Sequence, residues 1–246
     1  MQLQRTFVYG PIHSRRLGRS LGVNVLPVAY KTCNFNCAYC QYGRTATPRK
    51  VVWPDPDAIV ADVDRALSWR TPVDHITLAG NGEPTLHPAF GRIVDGLIEV
   101  RNHRAPGTPL AVLSNGSTLH RSDVVEALAR FDERHMKLDA GDATTLLRVN
   151  ACPISLGRLL AGLRDLGNVI VQAMFVRDAN GAVDNTTPEA LGSWIDALRR
   201  VRPAAVHIYS LDRKPAVSSI GPVNRVDLER IADKVAAARF NASVFA

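Results

Sequence analysis

The sequence of 246 residues has little lysine, little cysteine and no long hydrophobic segment. Five of its 30 basic residues are lysines and 25 are arginines, and 23 acidic residues leave a formal net charge of +7. No apolar segment approaches the roughly 20 residues of a membrane-spanning helix, so an integral membrane protein is excluded and no membrane partner is expected. The first residues lack the apolar segment and cleavage site of a secretory signal, which predicts a cytoplasmic protein.

The sequence also lacks the motifs of several enzyme classes. It contains no G-x-x-x-x-G-K-[ST] loop, no H-E-x-x-H pair and no G-x-G-x-x-G turn. Nucleotide hydrolysis, zinc-dependent proteolysis and dinucleotide binding therefore have no support. The positive charge leaves nucleic acid open as a partner, although the arginines are scattered along the chain and form no blocks.

Short apolar segments alternate with longer segments of helical period, as in repeated strand–helix units. Strands are predicted at Leu21–Leu26, His75–Ala79, Leu110–Leu113, His135–Leu138, Val169–Phe175 and Ala205–Tyr209. Helices are predicted at Asp57–Trp69, Phe90–Val100, Ser122–Arg130 with Ser122 as N-cap, Ser155–Leu166, Pro188–Val201 and Arg225–Arg239. Six units without a Gly/Ser linker predict one α/β domain over 1–246, with a segment 1–20 ahead of the barrel. The predicted architecture is a partial (β/α)6 barrel of the TIM type, and a doubly wound open sheet is the alternative.

Three of the four cysteines lie close together in the loop 28–45, after the first predicted strand. Cys33, Cys37 and Cys40 have the spacing C-x3-C-x2-C, and Cys152 lies far away. Thiolates select zinc, copper(I) or iron–sulfur clusters. A structural zinc site wants four protein ligands, and a redox pair would leave Cys33 unexplained. A [4Fe-4S] cluster held by three thiolates keeps one open coordination position, which favours a site with an exchangeable ligand.

This loop resembles that of the radical S-adenosylmethionine (SAM) superfamily, and the resemblance extends over almost the whole chain. It is carried by YGPIHSRRLGRSLGVNVLP before the cysteines, and by AGNGEPTLHP, LSNGS, KLDAGD and HIYSLDR after them. These segments look like an uncharacterised Fe-S oxidoreductase branch whose core is similar to the wyosine-forming tRNA enzymes. The resemblance implies a radical SAM barrel, with a [4Fe-4S] cluster and SAM as cofactors.

The resemblance also implies roles for individual residues. Cys33, Cys37 and Cys40 would bind the cluster, and Tyr39 would pack toward the adenine of SAM. The turn Asn81–Pro84 matches the Gly-Gly-Glu-Pro turn of the family, so Gly82 and Glu83 would accept hydrogen bonds from the methionyl ammonium. Asn replaces the first glycine, and Asn tolerates left-handed backbone geometry.

Further polar residues follow the predicted strands. Asn115 would contact the ribose or the methionine carboxylate, or else act as a turn residue. Lys137 and Asp139 share one strand face, and they are predicted to contact the nucleoside or the substrate as catalytic residues, or to form a structural ion pair. Gln172 is predicted to bind the cofactor, with a core amide as the alternative. The candidates near the sixth strand, which would close the pocket but which the sequence cannot orient, are His207, Tyr209 and Asp212. Arg15, Arg16 and Arg19 precede the first strand, and they are interpreted as solvated side chains, with contact to a phosphate as the alternative.

The resemblance implies an enzyme of radical SAM type, oxidoreductase-like, in which reductive cleavage of SAM yields a 5'-deoxyadenosyl radical that abstracts hydrogen from an unknown substrate. A tRNA or another nucleotide is one candidate substrate, and a flavodoxin or ferredoxin would be the one-electron donor. The alternatives are a glycyl-radical-enzyme activase and a non-catalytic Fe-S or zinc binding module. Cys152 cannot hold a second cluster alone and is predicted to be a buried small hydrophobe.

Overall fold

A curled eight-stranded sheet organises the fold in the computed structural model, which describes residues 2–46, 48, 50–151 and 154–246. The strands of this part of the chain are β1 (Val8–Ser14), β2 (Gly18–Val23), β3 (His75–Leu78), β4 (Leu110–Ser114), β5 (Glu133–Lys137), β6 (Ile170–Met174), β7 (Val176–Asp178), β8 (Ala205–Tyr209), β9 (Ile220–Pro222) and β10 (Ala242–Phe245). The large sheet has the order β1-β2-β3-β4-β5-β6-β8-β10. Strand β1 pairs antiparallel with β2, and all other pairs in this sheet are parallel.

Helices connect most of the parallel strands. They are α1 (Pro56–Ser68), α2 (Phe90–Arg104), α3 (Ser122–Leu128), α4 (Ala143–Asn150), α5 (Leu156–Leu166), α6 (Pro188–Val201) and α7 (Arg225–Ala237), with a short 3-10 helix at Pro84–Leu86. Their starts follow from local chemistry, because the side chains of Asp55, Asp142 and Asn224 accept hydrogen bonds from the first turns of α1, α4 and α7. None of the helices in the described residues is both long and apolar enough to cross a membrane.

The two faces of the large sheet differ in polarity. Alternate residues such as Val23, Leu78 and Val112 are fully buried in the main hydrophobic core, together with apolar side chains of the helices. The residues between them on neighbouring strands, such as Thr77 and Gln172, are polar and belong to the concave side. The sheet therefore forms a half-barrel with an apolar outside and a polar inside.

The sheet confirms the predicted α/β class and partial TIM-type barrel, and its strand order runs in sequence without the reversal of a doubly wound fold. All six predicted strands are present, the sixth with the predicted boundaries Ala205–Tyr209 and the other five shifted, the first to Gly18–Val23 from Leu21–Leu26. Within the segment 1–20, β1 pairs antiparallel with β2 as an edge strand of the same sheet, and β2 begins at Gly18. Ser122 is the first residue of α3, and Arg121 is its N-cap, without a capping side-chain bond.

The sequence reasoning missed two strands of the large sheet, the small β7–β9 sheet and helix α4. Strand β1 contains Gly10 and Pro11 and shows a register irregularity between Tyr9 and Ile12, so it lacks a regular strand pattern. Strands β7, β9 and β10 have only three or four residues each. Elements this short carry too few alternating positions for a pattern to be read.

Candidate active site

The residues singled out in the sequence gather around one cavity of about 710 Å³ at the carboxyl ends of the parallel strands. Its wall contains Cys33, Cys37, Cys40, Tyr39, Gly82, Glu83, Asn115, Lys137 and Gln172. Asp139 lies behind this wall and is 1% exposed. The volume is typical of a small-molecule site.

The cysteine loop is bound to the turn after β3 by backbone hydrogen bonds. Thr32 N donates to Asn81 O at 2.8 Å, and Glu83 N donates to Thr32 O at 3.0 Å. Gly82 has a φ of +150°, and a Cβ there would lie 1.8 Å from Thr32 O. Only glycine allows this close approach, so the turn and the loop fix each other's position.

Asn81 serves this turn through its side chain. Its Oδ1 accepts from Gln4 N at 2.8 Å, and its Nδ2 donates to Gln4 O and Pro27 O. The positive φ angles belong to Gly80 and Gly82 on either side of it. Asn81 therefore ties the chain before β1 to the turn and does not itself adopt left-handed geometry.

A second support for the cysteine loop comes from the end of α4. Asn36 N donates to Asn150 O at 3.0 Å, and Ala38 N donates to Val149 O at 2.8 Å. The side-chain amide of Asn150 lies 3.3 Å from the sulfur of Cys37. Sequence reasoning missed Asn150, because it ends a helix of eight residues that had not been predicted.

The far end of the cysteine loop is held by the chain after β8. Ala216 N donates to Cys40 O at 3.4 Å. The side chain of Arg213 donates to Oε1 of Gln41 at 3.4 Å, joining residues 172 positions apart. The loop is thus enclosed by segments from both halves of the chain.

The three thiols are free and partly buried. Burial, followed by the nearby Glu83 carboxylate, raises the pKa of Cys33 to about 12. Burial also raises the pKa of Cys37, against the opposing effect of Lys137. The raised pKa values of Cys33 and Cys37 favour their protonated forms, so a cluster bound there would have to stabilise the two thiolates.

The spacing of the thiols bears on which group they could hold. Among the described residues, no group of three or more His, Cys, Asp or Glu side chains is arranged to hold a single metal ion. A cubane [4Fe-4S] cluster binds each thiolate through a different iron, so its ligands need not converge on one point. Three free thiols around one cavity fit such a cluster.

Glu83 is 2% exposed and is held by its neighbours. Its Oε1 accepts from Thr85 N, Thr85 Oγ1 and Ser114 Oγ, and its Oε2 accepts from Asn115 N at 2.6 Å. Burial raises the pKa of Glu83, although these hydrogen bonds work in the opposite direction. Oε2 carries a single protein hydrogen bond, so it retains capacity to accept another from a cationic donor.

Asn115 links the strand β4 turn to the cysteine loop. Its Nδ2 donates to Asn34 Oδ1 at 3.0 Å and lies 3.9 Å from the sulfur of Cys33, and its Oδ1 accepts from Ser117 N. Asn115 therefore both stabilises the turn after β4 through its bond from Ser117 N and lies close to the sulfur of Cys33. The predicted contact of Asn115 with ribose or carboxylate stays a prediction.

Lys137 and Asp139 form an ion pair with a separation of 3.6 Å, as their shared strand face predicted. Lys137 Nζ also donates to the Tyr39 hydroxyl at 2.6 Å, and that hydroxyl donates to Asp139. Asp139 further accepts from Asn150 Nδ2 at 2.6 Å and from Met174 N at 2.8 Å. This network anchors the cysteine loop through Tyr39, which lies between Cys37 and Cys40.

The charges of this network follow from its burial. Burial is the largest single effect and lowers the pKa of Lys137, but Asp139, Tyr209 and Cys37 together outweigh it, and the result is a raised pKa. Burial and Asp139 both raise the pKa of Tyr39. Lys137 therefore stays a cation and Tyr39 a neutral phenol.

The other candidates divide between the cavity and the outside. Arg16 and Tyr209 line the cavity, and Arg15 lies 3.9 Å from Asp212 at its margin. The candidates that lie elsewhere are Arg19, paired with Asp74, and His207, in ring contact with His135 and Phe245. Cys152 is outside the described residues.

Two side chains of the cavity wall have buried polar atoms without a hydrogen-bond partner in the described part of the chain. They are Nη1 of Arg16 and Nε2 of Gln172. The Gln172 Oε1 lies 3.5 Å from the Tyr209 hydroxyl. Buried polar atoms in native proteins are almost always paired, so these two indicate that the cavity binds a polar ligand.

One pattern in the sequence suggests a different chemistry, which the structure does not support. The residues 18–22 read G-x-S-x-G, a spacing found at the nucleophile of serine hydrolases. Ser20 lies inside β2, and its hydroxyl bonds to that of Thr77 at 2.7 Å. It is a buried strand residue, not a nucleophile on a strand-to-helix turn.

Comparison with known sequences agrees with this geometry. The family model described as "Radical SAM superfamily" matches residues 28–172. A "UPF0026 protein" of Helicobacter pylori (strain J99) is 30% identical over 215 residues, covering 84% of this chain and 66% of the relative. The "UPF0026 protein slr1464" of Synechocystis sp. is 32% identical over 211 residues, covering 82% of this chain and 74% of the relative. The chain thus spans just under two thirds of the Helicobacter relative.

Solved structures show the same fold. A radical SAM methyltransferase from Sphaerobacter thermophilus superposes with a TM-score of 0.66 at 18% identity, covering 92% of this chain and 65% of that chain. TYW1 with a lysine-pyruvate adduct bound superposes with a TM-score of 0.64 at 17% identity, covering 89% and 73%. Members of the matched superfamily are enzymes that use a [4Fe-4S] cluster and SAM. The predicted resemblance is confirmed, and the chain belongs to the radical SAM superfamily.

Proposed function

We propose that this protein is an enzyme that cleaves SAM reductively, with Cys33, Cys37 and Cys40 as the cluster ligands. The observation that carries the proposal is the position of three free thiols in the wall of the cavity that also contains Glu83 and Asn115. Bound together, the cluster and SAM supply a 5'-deoxyadenosyl radical that abstracts hydrogen from a substrate.

In this proposal Glu83 and Gly82 receive the methionyl ammonium of SAM. Glu83 is suited to this because it lines the cavity, because its Oε2 accepts one protein hydrogen bond, and because its burial strengthens a charge-assisted bond. Asn115 orients the loop of Cys33 and contacts the ribose or carboxylate. Tyr39 forms the adenine side, held in place by Lys137 and Asp139.

The two members of the ion pair, Lys137 and Asp139, have different roles in this proposal. Asp139 is 1% exposed and has four hydrogen-bond or ionic partners, so it acts as a positioning residue for Tyr39 and Asn150. Lys137 lines the cavity and stays charged, so it is the member of the pair that contacts the nucleoside or the substrate.

The first test is anaerobic reconstitution with iron and sulfide, reduction with dithionite and addition of SAM. We expect 5'-deoxyadenosine and methionine from the wild type, and neither product nor bound iron from Cys37→Ala. Cys152→Ala is the matched control, since it removes a thiol that is not one of the three proposed ligands, and it should retain the cluster. Activity in Cys37→Ala would overturn the assignment of Cys37 as a cluster ligand. Stoichiometric zinc without iron after reconstitution would favour the non-catalytic binding module.

The substrate stays open at this level. No contact in the described residues favours a glycyl-radical activase, and the scattered arginines alone support a nucleic-acid substrate. Both remain predictions, as do the flavodoxin or ferredoxin donor and the cytoplasmic location.

A further inference from the structure

Arg16 enters the cavity from the turn between β1 and β2. The Ser14 hydroxyl accepts from Arg16 N at 3.3 Å and from Leu17 N at 3.2 Å, which fixes the turn. The guanidinium carbon of Arg16 lies 4.2 Å from the centre of the Tyr209 ring. Stacking on an aromatic ring holds a guanidinium in one plane while leaving its N–H groups free to donate.

Arg16 differs from the other cations of the cavity wall in having no acceptor. Lys31 donates to Gly43 O at 2.6 Å, and Lys137 and Arg15 pair with Asp139 and Asp212. Within the described residues, the Arg16 side chain makes no ion pair, and its Nη1 is buried without a hydrogen-bond partner. Arg16 as a whole is half-buried, but a buried donor atom of a cation is unfavourable without an acceptor, so the position of Nη1 calls for an anion.

A second unpaired donor lies near the hydroxyl of Tyr209. Gln172 Nε2 is buried without a partner, and the Oε1 of the same amide lies 3.5 Å from the Tyr209 hydroxyl. One aromatic side chain therefore contacts both residues. Guanidinium and amide N–H groups only donate, so a ligand that pairs with both must present acceptor oxygens.

We propose that Arg16 binds the acid group of the substrate, a carboxylate or a phosphate, and that Gln172 donates to an oxygen of the same ligand. This inference rests on the proposed function, and it assigns Gln172 to the substrate instead of to SAM. Charge-assisted bonds from a planar guanidinium fit either acid group. The cavity of about 710 Å³ suits a substrate of small-molecule size.

The test uses reconstituted wild-type protein and ligand-observed NMR titrations with acetate, succinate and inorganic phosphate. Acetamide and succinamide serve as neutral counterparts of the two carboxylates. We expect the wild type to bind at least one acid and neither amide, with the carboxylate and phosphate titrations showing which acid group is preferred. Arg16→Gln should weaken that binding about tenfold or more, and Gln172→Leu about threefold.

Arg19→Gln is the matched control, because it removes the same charge from the same hairpin at an arginine paired with Asp74 outside the cavity. It should change acid binding by less than about twofold. Equal weakening by Arg16→Gln and Arg19→Gln, or no binding of any acid by the wild type, would overturn the inference. SAM cleavage is measured separately on the wild type, so a failure of the proposed function is seen independently of acid binding.

Discussion

Gly82 occupies a point where two backbone segments almost touch. Its positive φ and the 1.8 Å separation between a built Cβ and Thr32 O mean that any side chain must push the cysteine loop away from the turn. The hydrogen bonds between Thr32 and its partners in the turn would be strained or lost together. A single methyl group at this position would thus displace Thr32 and with it the next residue, the predicted ligand Cys33.

Gly82→Ala is expected to lower the free energy of unfolding by about 2 kcal/mol and to reduce iron retention after reconstitution. Urea unfolding and iron analysis measure the two effects. Gly91→Ala is the control, because Gly91 lies in α2 with open space around its Cβ position. That change should stabilise the protein by about 0.5 to 1 kcal/mol. Equal stability and equal iron retention of Gly82→Ala and Gly91→Ala would contradict the close approach of Gly82 to Thr32 O.

Residue identities at the site could be predicted where a motif is local. The three cysteines and Glu83 lie in short segments whose spacing is fixed by chemistry, and the structure places them around one cavity. The free state of Arg16 could not be predicted, since it depends on Tyr209 from the far end of the chain and on the absence of a nearby acceptor. Sequence pattern contains no information about such pairing.

At the scale of elements, helix α4 is the support that the sequence did not reveal. Its last residue, Asn150, is fully buried and connects the network of Asp139 to the sulfur of Cys37. Eight residues provide little more than two helical turns, so their period is weak and their capping Asp142 resembles an ordinary turn residue. Tertiary packing of its buried residues Leu146, Val149 and Asn150, more than its own sequence period, stabilises this helix.

Asn150→Ala is expected to destabilise the protein by about 1 to 3 kcal/mol, because Asp139 loses a buried hydrogen bond and the loop of Cys37 loses its support. The measurement is the midpoint of urea unfolding. Arg148→Ala on the exposed side of the same helix is the comparison and should change stability little. If both substitutions destabilise the protein equally, the stability depends on the helix as a whole and not on the buried side-chain amide of Asn150.

At the scale of the whole molecule, the half-barrel carries a group of histidines inside its sheet. His135 Nε2 lies 2.7 Å from Glu133 Oε2, His75 Nε2 lies 3.3 Å from Glu133 Oε1, and the rings of His135 and His207 are 5.4 Å apart. Burial, with His135 and Arg16 nearby, lowers the pKa of His207 to about 4, against the effect of Glu133. The hydrogen bond from His135 leads the effects that lower the pKa of Glu133 to about 2.

These shifts predict that stability falls on acidification. Between pH 6.5 and pH 4.5 the unfolded chain takes up a proton at His207 that the folded protein does not, so stability decreases as pH falls. Partial exposure limits the effect to about 1 to 2 kcal/mol. The contribution of Glu133 is lost only below about pH 4.5, whereas His87, whose pKa is also lowered by burial, adds to the effect of His207 in this window.

Urea unfolding at several pH values measures this effect. His207→Gln should flatten the pH dependence between pH 6.5 and pH 4.5, whereas His103→Gln, at an exposed site in α2, should leave the slope unchanged. A slope that is the same in all three proteins would show that other groups control acid stability. The single-domain organisation over 1–246 stays a prediction, and unfolding curves with one transition by two probes would support it.

The contact between Gln41 and Arg213 joins positions 172 residues apart, so the cysteine loop leaves the ribosome long before the segment that covers it. At translation rates of about 5 to 20 residues per second, the delay is roughly 10 to 30 s. During that interval the nascent chain presents its thiols without the wall formed by β8 and the residues after it. The cysteine loop is therefore more accessible to iron delivery in the growing chain than in the finished protein.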